Sequence, residues 1–167
     1  MGVARVALLS LLTALLSLTA CQVTWREPQI QPLNQGLVLP ATLGSVCNQI
    51  RDGIGWMGGV VLDETVEPDA CLFESSQIPL GSTGTAVQQL DEVAYVPQGS
   101  MRGGRYQITA SARPTSTGDT RMRISTRIEG LDGNYQVLRS RGLIERTLIE
   151  RITDVLGVEP VPETSTR

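Results

Sequence analysis

Hydrophobic positions along the chain change period from segment to segment, and the changes outline a small set of elements. Leu37-Val38-Leu39-Pro40 reads as a short strand. Thr42 then stands as an N-cap before Leu43, Val46, Cys47, Ile50 and Ile54, which fall at i, i+3, i+4, i+7 and i+11 and so share one helix face. Gly53 and Gly55 are expected to end that helix, and Gly58-Gly59-Val60-Val61-Leu62 to open a strand. Cys71-Leu72-Phe73 and Gln77-Ile78-Pro79-Leu80 fit strand returning against Val60 to Leu62 around a turn at Pro68-Asp69. From Gly81 to Gly104 the pattern reads as strand or loop through Val87, Leu90, Val93 and Tyr95, with a turn at Pro97-Gln98-Gly99-Ser100.

The two-residue period is clearest next. Tyr106, Ile108, Ala110 and Ala112 alternate with polar residues, Pro114 to Asp119 turns the chain, and Met122, Ile124, Thr126 and Ile128 alternate with Arg121, Arg123, Ser125 and Arg127. This is an antiparallel pair with one covered face and one wet face. Leu143 to Leu156 places Ile144, Leu148, Ile152 and Val155 on one face of a second helix, closed by Gly157. The order predicts an α+β fold: an antiparallel β-sheet of about four to five strands packed by two helices on one face.

Ahead of this body, Arg5 is followed by a run from Val6 to Leu18 that is apolar apart from Ser and Thr, the length of a signal h-region and too short to cross a bilayer. The expected organisation is therefore residues 1–20 as signal peptide, 21–35 as a flexible linker holding Pro28 and Pro32, and 36–157 as a single domain. Residues 158–167, with Pro160, Pro162 and a Glu-Thr-Ser-Thr-Arg end, are expected to be a disordered tail.

Leu18-Thr19-Ala20-Cys21 resembles the lipobox of bacterial lipoproteins. That resemblance implies cleavage before Cys21, a diacylglycerol thioether on its sulfur and acylation of its amine, and two or more chains hold a protein on a membrane where one does so only marginally. By the same resemblance Gln22, where an aspartate would favour inner-membrane retention, fits the outer membrane, periplasmic side. The order of elements in the body is also similar to that of small periplasmic domains of BamC-like lipoproteins. This implies a binding or scaffolding module and carries over no individual residue.

With Cys21 so assigned, Cys47 and Cys71 remain as an even pair in a compartment where disulfides persist. A bond between them would pin helix to sheet and add about 3 kcal/mol in the chain-entropy model; two buried free thiols are the other reading. No C-x-x-C spacing supports redox chemistry.

Composition narrows the chemistry. The 167 residues include no histidine and no lysine, so all 14 basic residues are arginine and the formal net charge is −3. Imidazole metal sites, Ser-His and Cys-His arrangements, Schiff bases and the Walker lysine are all excluded. Gly53-Ile54-Gly55-Trp56-Met57-Gly58 satisfies G-x-G-x-x-G, but it leaves a helix and enters a strand, the reverse of the context a dinucleotide needs. The acidic residues Asp63, Glu64, Glu67, Asp69 and Glu74 lack calcium-loop spacing and read as a polar hairpin.

Arg102, Arg105, Arg113, Arg121, Arg123 and Arg127 fall in or beside the two strongest strands, and Arg121, Arg123 and Arg127 share one face. Such a row suits bidentate contacts to phosphate or carboxylate on an anionic partner. It equally serves as a solvated face that keeps the sheet soluble. The expectation is a non-enzymatic, lipid-anchored envelope lipoprotein in outer-membrane assembly or maintenance, with the membrane and an envelope protein as partners, no nucleic acid, no nucleotide, no cofactor and no metal. The alternatives are an accessory lipoprotein of a transport or secretion complex, and a carboxylate-dependent hydrolase of cell-wall glycan.

Overall fold

The computed structural model describes residues 36–80, 86–97 and 101–162. The lipobox and Cys21 lie outside them. Strand β1 (Leu37–Leu39) leads into helix α1 (Leu43–Trp56), where Thr42 Oγ1 accepts the Ser45 N–H as the N-cap. Strands β2 (Val61–Glu67), β3 (Ala70–Ser75) and β4 (Ile78–Leu80) follow, then helix α2 (Ala86–Val93) and the two-residue strand β5 (Ala94–Tyr95). The long hairpin is β6 (Gly104–Pro114) and β7 (Thr120–Asp132), continued by β8 (Asn134–Ser140), helix α3 (Leu143–Leu156) and β9 (Val161–Pro162). The fold is thus mixed helix and strand with an open antiparallel sheet, as the pattern predicts.

The hairpin is the centre of the sheet. Pairing runs from Gly104↔Gly130 to Pro114↔Thr120 without a break, and a Thr115–Asp119 loop closes it with the Thr115 N–H on the Asp119 carbonyl and Gly118 at φ +88°. The sheet runs β2-β3-β6-β7-β1-β9, with β4 alongside β6, β8 alongside β7 and β5 at the far end of β8. Inward positions Tyr106, Ile108, Ala110, Ala112, Met122, Ile124 and Ile128 are buried against the helices. α1 contributes Val46, Cys47, Ile50 and Ile54, α2 contributes Leu90, and α3 contributes Ile144, Leu148 and Ile152 to the same core.

Four differences from the sequence expectation have local causes. The described residues form nine strands, where about four to five were expected: one is β8, opened by a tight turn at Gly133 (φ +70°), and four others are only two or three residues long. A further helix, α2, occupies the segment read as strand or loop, because Leu90 and Val93, three residues apart, both turn into the core. α1 also continues through Gly53 and Gly55 to Trp56. At Gly53 a Cβ would come within 2.5 Å of Leu148 Cδ1, so the glycine serves the close approach of α1 to α3.

The fourth difference is β4, which pairs with β6 (Ile78↔Tyr106) and not with β2. β6 is too long for β3 alone to cover, so β3 and β4 share its edge with a break between them. The buried Ser75 fills the break: its Oγ accepts the Ile108 N–H at 2.9 Å and donates to the Ser76 carbonyl. At the far end, Val161 pairs with Val38, so sheet pairing continues beyond Gly157 into the segment expected to be a disordered tail.

Cys47 on α1 and Cys71 on β3 form a disulfide with a Cα–Cα distance of 6.2 Å, and both are buried. It ties the first helix to the sheet across a sequence separation of 24. Reducing it, or replacing both cysteines by alanine, is expected to lower stability by about 3 kcal/mol. Chemical denaturation of oxidised and reduced protein measures this, and intact mass should rise by about two daltons on reduction, one hydrogen for each thiol formed.

Candidate functional site

The face of the sheet away from the helices has no covering element among the described residues. Its side chains follow from register. Outward positions on β6 are Arg105, Gln107, Thr109, Ser111 and Arg113, and across from them on β7 stand Glu129, Arg127, Ser125, Arg123 and Arg121. On the other side, Leu72 of β3 sits against Ser111 and Thr65 of β2 against Leu72. Arg121, Arg123 and Arg127 therefore do share a face, as their spacing predicts.

They do not form one site. Arg121 and Arg123 join Arg113, Thr65, Glu67 and Ser111 around a shallow concavity of about 650 Å³ at the turn end of the hairpin. Its charged lining is three arginines and one glutamate, with Leu72 and Ala70 as apolar floor. Arg121 and Arg123 each already interact within the chain, so an anion bound there exchanges with an existing interaction.

Arg127 belongs to a second cluster at the opposite end of the hairpin. Arg105 Nε donates to Glu129 Oε2 at 2.7 Å and Arg127 Nη2 reaches Glu129 Oε1 at 3.0 Å. The Arg105 guanidinium also lies 3.6 Å from the Tyr135 ring centroid, a cation–π contact. Glu129 is only 8% exposed. The Arg105 hydrogen bond, opposed by desolvation and helped by the charges of Arg105 and Arg127, holds its carboxyl below the ordinary value. The small recess beside it, of about 120 Å³, is lined by Gln77, Arg105, Tyr106, Gln107, Arg127 and Glu129. Sequence reasoning missed this cluster, although Glu129 two residues after Arg127 on an alternating strand was a visible signal.

The acidic residues are divided by the pleat. Glu64 points to the helix side, where Arg51 of α1 grips it through both Nε and Nη2 and lies 5.7 Å from the Phe73 ring centroid. That bidentate contact holds the Glu64 carboxyl low. Asp63 pairs with Glu74 on the uncovered side, and Gln107 Nε2 donates to Glu74 at 2.8 Å. No group of three or more His, Cys, Asp or Glu side chains among the described residues is arranged to hold a metal ion. No described helix is long and apolar enough to cross a membrane.

Compared with known proteins, the chain matches no family model, no curated protein and no solved structure.

The Glu129 cluster gives the sheet an acid limb. A carboxyl held low in the folded state stabilises above its unfolded value, and that stability is lost as pH falls through the lower folded value. Thermal unfolding followed from about pH 6 to about pH 2 should show the midpoint dropping once pH passes below the ordinary carboxylate range. Glu129→Gln is expected to flatten that drop, and a variant with an unchanged acid limb would remove Glu129 from the account.

Proposed function

We propose that this protein is a non-enzymatic, lipid-anchored lipoprotein of the bacterial envelope, held on the periplasmic side of the outer membrane through Cys21, whose uncovered sheet face binds an anionic envelope partner. The observation that carries the binding part is the grouping of Arg113, Arg121 and Arg123 around one concavity on the sheet face that the helices leave open. Guanidinium forks there suit carboxylate or phosphate, and Ser111 and Thr65 add hydroxyls to the same lining. The anchor part rests on Leu18-Thr19-Ala20-Cys21 after an apolar run too short to span a bilayer. The Cys47–Cys71 disulfide agrees with an oxidising compartment. The module works by holding a surface at a fixed place, with the linker from 21 to 35 setting its reach from the lipid.

Cys21→Ala should move the protein from the membrane pellet to the soluble fraction. Continued pelleting of that variant in high salt would count against the anchor.

Arg121→Glu combined with Arg123→Glu should preserve the disulfide and the cooperative fold yet cut crosslinking from a photoreactive residue at position 111 by about tenfold, since removing a charge-assisted hydrogen bond costs about 1.5 to 3 kcal/mol. Mass spectrometry of the crosslinked species in membranes reads the outcome. Capture of an acidic envelope protein supports the reading, and undiminished capture would return these arginines to a solvated face.

A further inference from the structure

We propose that β2 is a docking edge for an extended protein segment that alternates basic and apolar residues. β2 ends the sheet: β3 lies on one side and no described strand pairs with the other. A seven-residue strand so placed presents a row of backbone donors and acceptors to any strand that can lie beside it. Its side chains are exposed on both faces. Val66 (57% exposed) lies on the helix side and Leu62 (68%) at the bulge where the register shifts between Val61 and Asp63. Val60, just before the strand, is 65% exposed, so three large aliphatic side chains stand in water along one edge.

The charge pattern selects the occupant. On the uncovered face β2 carries Asp63, Thr65 and Glu67, and Asp63 stands directly across from Glu74. Like charges in that relation destabilise a strand pair, and a basic side chain placed beside Asp63 relieves the repulsion. Glu64, the third acid of the strand, already spends its charge on Arg51 on the helix side. A second copy is a poor occupant, because two-fold pairing of β2 with itself brings Asp63 and Glu67 of one chain against the acids of the other. A strand with Arg or Lys facing Asp63 and Glu67, and aliphatic residues facing Leu62 and Val66, satisfies backbone, apolar and charged groups together. This edge is separate from the arginine concavity, with which it shares only Thr65 and Glu67.

The test uses purified full-length protein and a fluorescent peptide of alternating arginine and valine. Saturable binding by anisotropy is expected, with none for a peptide of alternating glutamate and valine. N-methylation of the peptide at alternate residues should abolish binding in one phase, where the methyl groups face β2, and spare it in the other. Asp63→Arg with Glu67→Arg should weaken binding by about tenfold or more without lowering the unfolding midpoint, since Arg at 63 faces Glu74 with opposite charge. Absence of saturable binding, equal effects of the two methylation phases, or unchanged affinity in the doubly reversed variant would overturn the proposal. Because methylation alters only the peptide, the strand-addition geometry is judged on the unaltered protein.

Discussion

The ladder between β6 and β7 is long enough that every other element is arranged by it. With one face buried under α1, α2 and α3, each residue on these strands has its side chosen by parity alone, and a slip of one residue would send Ile108, Ile124 and Ile128 into water and arginines into the core. The cost of burying unpaired guanidinium groups is large enough to make that register exclusive. β3 and β4 share one flank of β6, and β1 and β8 share one flank of β7, so short strands complete what the long ones begin. Ser75, Gly53 and the Cys47–Cys71 bond are adjustments to this arrangement: a hydroxyl where the flank breaks, a missing side chain where helices touch, a covalent tie where helix meets sheet.

Elements that bury a periodic stripe were legible in the sequence. α1 announces itself through Thr42 and its five apolar positions, α3 through its stripe and Gly157, and the central hairpin through strict alternation. The disulfide was legible as one of two readings from the evenness of the remaining cysteines. What was illegible is whatever takes its structure from neighbours. β5 and β9 are two residues long and exist because a longer strand offers a partner. β8 carries exposed Tyr135 and Val137 and buries only Leu138 well, so its alternation is inverted to the eye, and Asp132-Gly133-Asn134 was its one strong mark. α2 has barely two turns of pattern, too little to separate helix from strand.

The site was legible to a similar degree. Parity places Arg121, Arg123 and Arg127 on one face without any structure, but parity has no knowledge of what stands across the sheet. Glu129 claims Arg127 from two residues along the same strand and Arg105 from the next, whereas Arg113 comes to lie beside Arg121 only because the hairpin closes at Pro114↔Thr120. One arginine row thereby becomes two clusters of different character. One is packed around a nearly buried carboxylate, and the other lines a concavity in which three arginines face one glutamate. A cluster held on a nearly buried carboxylate changes with acid; exposed charges around a concavity change with ionic strength.

Charge on the uncovered face is graded across the strands. Apart from Glu129, its acids collect on β2 and β3, while Arg113, Arg121 and Arg123 gather at the turn end of β6 and β7, and the step between them falls along Leu72 and Ser111. A net charge of −3 conceals this division, since opposite fields a few strands apart cancel in the sum but not at the surface. Thr65 and Glu67 stand at the boundary and belong to both territories. A strand added beside β2 would extend the sheet at the wall of the concavity, and a basic residue drawn to Glu67 would neutralise the one negative group in its lining.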